Sequence, residues 1–157
     1  MIHAPAAALW LLHLAASLLF AAALCLRLAA VLATDRRLHR ADEPAGPKPL
    51  YSVLVALHQE AAVVDRLVGA LCRLDWPVSR LEIKLVCEAD DPQTIRAVRQ
   101  AVGNLPQFEI VLVPPAQPRT KPKALNFALP LTAGEFLVLY DAEDEPHPAQ
   151  LREAYAR

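Results

Sequence analysis

Three acidic or polar clusters in this sequence share one setting: each follows directly on an apolar run. His58-Gln59-Glu60 follows Tyr51–Leu57, Glu88-Ala89-Asp90-Asp91 follows Leu81–Cys87, and Asp141-Ala142-Glu143-Asp144 follows Phe136–Tyr140. The last is the strongest signal, because Glu145-Pro146-His147-Pro148 then breaks the chain. Carboxylates suit a hard divalent cation such as Mg²⁺ or Mn²⁺, and such a cation can in turn hold a substrate diphosphate. Asp141, Glu143 and Asp144 are the carboxylates that could hold such a cation. Between the second and third clusters lies Lys121-Pro122-Lys123-Ala124-Leu125-Asn126. The same acidic residues would serve equally as a solvated loop or a helix cap, so the elements around them must decide.

Those elements alternate. Tyr51–Leu57, Leu81–Cys87, Phe108–Val113 and Phe136–Tyr140 read as strands from their Val, Ile and Leu content. Glu60–Leu74 reads as a helix, with Val63, Val64, Leu67, Val68, Leu71 and Leu74 on one face. Pro92–Val102 and Lys123–Leu129 supply the next two helices, and Pro148–Arg157 begins a further one. Strict alternation of strand and helix implies βαβ crossovers and a mostly parallel, Rossmann-like sheet. Strands in such sheets are continuous apolar runs, so the fourth is expected to be buried, and ligands bind at the carboxyl ends of the strands. All three polar clusters fall at that edge.

The N-terminus differs. From Ala6 to Ala33 the only strongly charged residue is Arg27, and Ala and Leu dominate. About 20 apolar residues cross a bilayer as a helix, so residues 1–33 are expected to form one transmembrane helix. No Lys or Arg precedes the run, and it exceeds the usual 7–15 or so apolar residues of a signal peptide. Residues 34–49 read as a linker, stiffened by Pro44, Pro47 and Pro49. The nucleotide-binding domain is expected over 50–157.

Composition narrows the classes. The formal net charge of the 157 residues is −1, which offers no basic footprint for nucleic acid. Cys25, Cys72 and Cys87 lie far apart without metal-ligand spacing, which fits a reducing compartment, and Cys72 and Cys87 are expected to pack in the core. No GxGxxG or GxxxxGK[ST] follows a strand, and the chain has only four glycines, so a diphosphate would be held by metal and side chains rather than by a glycine loop.

The order of these motifs resembles the family-2 glycosyltransferases, the membrane-associated, cellulose-synthase-like group with the GT-A fold. There the first strand ends in a Pro-x-x-Asn-Glu-like turn and the second in an Asp-containing turn that reads the base. A Lys-x-x-x-Leu-Asn segment then precedes a strand ending in Asp-x-Asp. The match spans roughly residues 50–150. The resemblance implies a UDP-sugar or other nucleotide-sugar donor, a divalent metal, and transfer onto a polysaccharide or glycoconjugate. It places Glu60 in the nucleotide cleft, Glu88 against the base, Lys121 and Asn126 in the third motif, Asp141 near ribose and metal, and Glu143 on the metal. Glu stands where Asp is usual at 88 and 143, and Ala56 and Gln59 replace the commoner Pro and Asn. No Thr-Glu-Asp-like or Gln-x-x-Arg-Trp motif occurs, so the chain is expected to be the donor-binding portion of a longer enzyme, without its acceptor base.

Two other classes share some of these features. A membrane-anchored, non-catalytic nucleotide-binding module would need no base. A receiver-type signalling domain also gathers carboxylates at strand ends, but it wants a phosphoacceptor after strand three, where this chain has Pro114.

Arg27, Arg36, Arg37 and Arg40 all lie on the C-terminal side of the apolar run. The positive-inside rule then predicts an outside N-terminus and a cytoplasmic domain. Alkaline phosphatase fused after Arg157 is expected to be inactive in cells; activity there would reverse the orientation.

Overall fold

The computed structural model describes residues 3–35, 46–118 and 120–157, and the chain divides into two units, 1–41 and 42–157. In the first unit helix α1 runs His3–Asp35. Its apolar stretch Ala8–Leu32 is 25 residues long. At about 1.5 Å per residue this reaches about 37 Å, enough for a hydrocarbon core of about 30 Å. By length and composition α1 can cross a membrane. Most of the expected linker, residues 36–45, lies outside the described residues, as do Arg36, Arg37 and Arg40.

The second unit holds β1 (Tyr51–Leu57), α2 (Val64–Leu71), β2 (Leu81–Glu88), α3 (Pro92–Val102), β3 (Phe108–Val113), α4 (Lys121–Ala128), β4 (Phe136–Tyr140) and α5 (Gln150–Tyr155). The four strands are ordered β3-β2-β1-β4 and every pairing is parallel. A receiver-type sheet would seat β3 beside β1. Here β1 pairs with β2 and β4, which removes that alternative.

Strand alternation sorts the core onto two faces. Tyr51, Val53, Val55 and Leu57 of β1 join Ile83, Leu85 and Cys87 of β2 under α2 and α3. Leu54 and Val86 point the other way and meet Ala124 and Ala128 of α4 with Val111 and Val113. The small alanines let α4 lie close on the sheet. Because α4 packs over β1, β2 and β3, it leaves part of β4 bare. The fourth strand therefore departs from expectation: it is the edge strand of the described sheet, with Leu137 43% and Leu139 51% exposed. Its other face is anchored by Tyr140, and by Phe136 stacked on Tyr51.

Helix bounds shift by a few residues. The helix expected over Glu60–Leu74 is regular only over Val64–Leu71. Gln59 takes a positive φ of 59°, and the Glu60 carbonyl accepts from Val63 N–H in a turn, so the chain enters the helix late. Cys72 follows that helix one residue beyond Leu71 and is exposed, whereas Cys87 is buried as expected. Burial, with the Asp91 charge adding to it, pushes the Cys87 thiol up to about 12. At neutral pH it is an inert core group.

A polar ladder crosses the α4 face of the sheet. Buried Lys84 pairs with Glu82 at 2.9 Å and with Glu109 at 2.5 Å. Glu82 Oε2 also accepts from Ser52 Oγ at 2.5 Å and from Ala133 N–H at 3.1 Å, and Ser52 Oγ accepts from Gly134 N–H at 2.9 Å. Burial alone would raise the Glu82 carboxyl, but the Ser52 and Ala133 bonds and Lys84 hold it below the ordinary carboxylate value. This ladder fixes how the chain enters β4, and the approach is close: a Cβ on Gly134 would stand 2.5 Å from Ser52 N. Gly134→Ala is expected to cost about 1–3 kcal/mol by forcing β4 away from β1. Urea unfolding of the full chain in detergent measures it, and an unchanged midpoint would show that the entry to β4 yields freely.

Candidate functional site

The reversal in strand order fixes where a ligand can sit. From β1 through β2 to β3 the chain steps one way across the sheet, and from β3 it crosses back over the α4 face to β4. Crevices form where neighbouring strands send their connections in opposite directions, outside the carboxyl ends. A cleft of about 390 Å³ lies there. Its lining includes His58 and Glu60 after β1, Glu88 at the end of β2, Lys121 at the start of α4, and Asp141 and Glu143 after β4. Of the sequence-predicted site residues, Glu60, Glu88, Lys121, Asp141 and Glu143 are brought together. Asn126 is not: it lies on the exposed surface of α4, outside that lining.

Local structure explains each placement. The β1 turn is held by α3. Asp91 caps α3 by accepting from Thr94 N–H at 3.1 Å, and its second oxygen accepts from Gln59 N–H at 2.6 Å. Thr94 Oγ1 in turn accepts from Glu60 N–H at 3.1 Å. One helix N-terminus thus sets the backbone that presents Glu60, whose own carboxylate accepts from His58 N–H at 3.2 Å. Burial would raise the Asp91 carboxyl, but the Thr94 and Gln59 bonds, with His58 nearby, outweigh it and hold its pKa low.

After β4, Asp144 closes a turn: its Oδ2 accepts from Asp141 N–H at 2.8 Å, and Asp144 N–H donates to the Asp141 carbonyl at 3.1 Å. That turn leaves the Asp141 and Glu143 side chains exposed at the mouth. Asp141 is ion-paired with Lys121. Among the described residues no three His, Cys, Asp or Glu side chains converge as a metal-ligand set. Two exposed carboxylates nonetheless fit Mg²⁺ or Mn²⁺ by donor chemistry, since such ions commonly take one or two carboxylates and complete their shell with water and substrate phosphates.

The residue that sequence reasoning passed over is Lys123. Its Nζ lies 3.1 and 3.2 Å from the two oxygens of Glu88, 3.1 Å from the Pro114 carbonyl and 3.2 Å from the Ala116 carbonyl. Its signal was available: two lysines in the first turn of α4 run against the helix dipole and so call for a reason.

A family model described as "Glycosyltransferase like family 2" matches residues 47–157. Among curated proteins, the beta-monoglucosyldiacylglycerol synthase of Trichormus variabilis is 29% identical over 105 residues, covering 67% of this chain and 22% of that protein. The chain thus spans about a fifth of such relatives. Among solved structures, the mannosyltransferase PcManGT of Pyrobaculum calidifontis, in complex with GDP-Man and Mn²⁺, superposes with a TM-score of 0.66 at 27% identity, covering 88% of this chain and 41% of that one. Residues 1–349 of TarS from Staphylococcus aureus, in complex with UDP-GlcNAc, share the fold with a TM-score of 0.59 at 24% identity, covering 68% and 30%.

The turn network makes an acid-lability prediction. Asp91 and Glu82 have folded pKa values below their unfolded ones, about 3.9 and 4.3 for such groups. Their stabilisation is complete above the unfolded values and is lost as pH falls from there through the folded ones. Urea midpoints of the full chain in detergent are expected to fall steeply below about pH 4. Asp91→Asn should flatten part of that fall and cost about 1 kcal/mol at pH 7, because one amide oxygen cannot accept from both Thr94 N–H and Gln59 N–H. Parallel pH profiles for wild type and variant would remove Asp91 from the account.

Proposed function

We propose, from the premise that this chain belongs to glycosyltransferase-like family 2, that its cleft binds the nucleotide-diphosphate-sugar donor of a transferase. The observation that carries this is the convergence of Glu60, Glu88, Lys121, Asp141 and Glu143 on one crevice at the carboxyl edge of the sheet. The likeness to a mannosyltransferase described with GDP-Man and Mn²⁺ supports a nucleotide sugar and a divalent metal. The product is a polysaccharide or glycoconjugate, and the donor is a nucleotide-diphosphate sugar, for which the resemblance of the strand-end motifs implies UDP. By length and composition helix α1 can anchor the chain in a membrane, with the domain on the cytoplasmic side by the distribution of arginines.

Each side chain has a task that follows from its place. Glu88, nearly buried, accepts hydrogen bonds from the base, while Glu60 lines the cleft behind the β1 turn. Asp141 and Glu143 would hold Mg²⁺ or Mn²⁺ at the mouth. When bound, that ion supplies Lewis-acid stabilisation to the charge developing on the departing diphosphate. Lys121, ion-paired with Asp141, would neutralise phosphate charge. Displacement at the anomeric carbon also needs a base to take the acceptor's proton, and no residue of this cleft is assigned to that task.

Calorimetry on the full chain in detergent tests the donor site. UDP is expected to bind at least about tenfold more tightly with Mg²⁺ or Mn²⁺ than without, which is about 1.4 kcal/mol of coupling. Glu143→Gln, equal in size and uncharged, should lose most of that increment. Equal affinity with and without metal, in a folded sample, would return the acidic cluster to a solvated loop.

A further inference from the structure

We propose that Lys123 is a positioning residue for base recognition: it holds the Glu88 carboxylate as a fixed hydrogen-bond acceptor and so selects bases with a ring N–H on their pairing edge. This rests on the reading of the cleft as a nucleotide site.

Glu88 ends β2 at the cleft with 4% of its surface exposed. A carboxylate so placed is costly unless paired and hydrogen-bonded. Lys123 does both, facing its two oxygens at 3.1 and 3.2 Å. The ammonium is itself held, because the carbonyls of Pro114 and Ala116 lie 3.1 and 3.2 Å away. One cation therefore ties the end of β2, the loop after β3 and the first turn of α4 together. Lys121, two residues earlier, turns to Asp141 instead. Lys121 lines the cleft itself, whereas Lys123 lies outside that lining and acts on the cleft through Glu88.

A fixed, ionised carboxylate can only accept hydrogen bonds. Uracil offers N3–H and guanine offers N1–H with its 2-amino group. Cytosine N3 and adenine N1 present lone pairs at the corresponding atoms and are repelled. The chemistry thus favours uracil over cytosine and guanine over adenine. Without Lys123 the Glu88 carboxylate is left uncompensated and turns toward water, so acceptance at that point is no longer fixed.

The test measures Mn²⁺-supported binding of UDP, CDP, GDP, ADP and uridine to the full chain in detergent, with folding checked by circular dichroism. Wild type is expected to prefer UDP over CDP, or GDP over ADP, by about tenfold or more, as for a hydrogen bond to a charged group. The pair that shows the preference identifies the base. Lys123→Met should reduce that preference to below about threefold while keeping the affinity gained from uridine to UDP. Lys121→Met should do the reverse. Lys123→Arg, which keeps the charge, should restore part of the preference, and Glu88→Gln should abolish it even if Lys123→Met fails to fold. If Lys123→Met weakens every nucleotide equally and keeps the preference, Lys123 is a loop tether and the inference fails. If no nucleotide binds to folded wild type, the donor-site reading fails, and this inference with it.

Discussion

The arrangement depends on the burial of β1 from both faces. Parallel strands cannot be joined by tight turns, so each connection must cross the sheet as a helix. Val53 and Val55 are covered by α2 and α3, and Leu54 by α4. Covering both faces requires the connection after β3 to return on the opposite side. The reversal places β4 beside β1 and opens the crevice between their carboxyl ends. The cleft is thus a by-product of covering one apolar strand twice. The aromatic packing at the far end, where Tyr51 meets Trp76 and Phe136, pins the amino ends of the same two strands.

Polar groups then fix what apolar packing leaves loose. Ser52, Glu82, Ala133 and Gly134 set the entry to β4, while Asp91 and Thr94 set the exit from β1. Both networks use carboxylates whose hydrogen bonds outweigh the cost of burial. Each joins residues more than thirty positions apart, for example Gln59 to Asp91 across a separation of 32. Such contacts specify register more than they add stability, since an apolar pair of similar volume often holds a fold as well.

This division explains what the sequence disclosed. Strands and helices were legible from apolar periodicity, and the edge of the sheet that carries chemistry was legible from the polar residues after each run. Strand order was not, because it depends on which face each crossover takes. The bare face of β4 escaped for the same reason: Leu137 and Leu139 look like core residues until α4 is known to lie elsewhere. Asn126 showed the limit of a linear motif. It is five residues from Lys121, and at 3.6 residues per turn that spacing moves it about 140° around α4. Lys123 escaped because its partners, Glu88, Pro114 and Ala116, lie on other elements. Only its place in the first turn of a helix, where a cation is disfavoured, marked it.

Two of the cleft's carboxylates are already ion-paired before any ligand enters. Lys121 is matched to Asp141, and Lys123 to Glu88. The two pairs differ in burial, and that difference gives them different tasks. The Lys121 and Asp141 side chains are 41% and 66% exposed, so water screens their attraction and parting them costs little. A metal diphosphate, bringing a cation for the carboxylate and an anion for the lysine, can exchange partners with both. The Lys123 and Glu88 side chains are 20% and 5% exposed, and separating them would strand a carboxylate away from water. One end of the cleft is therefore built to rearrange on binding and the other to stay fixed.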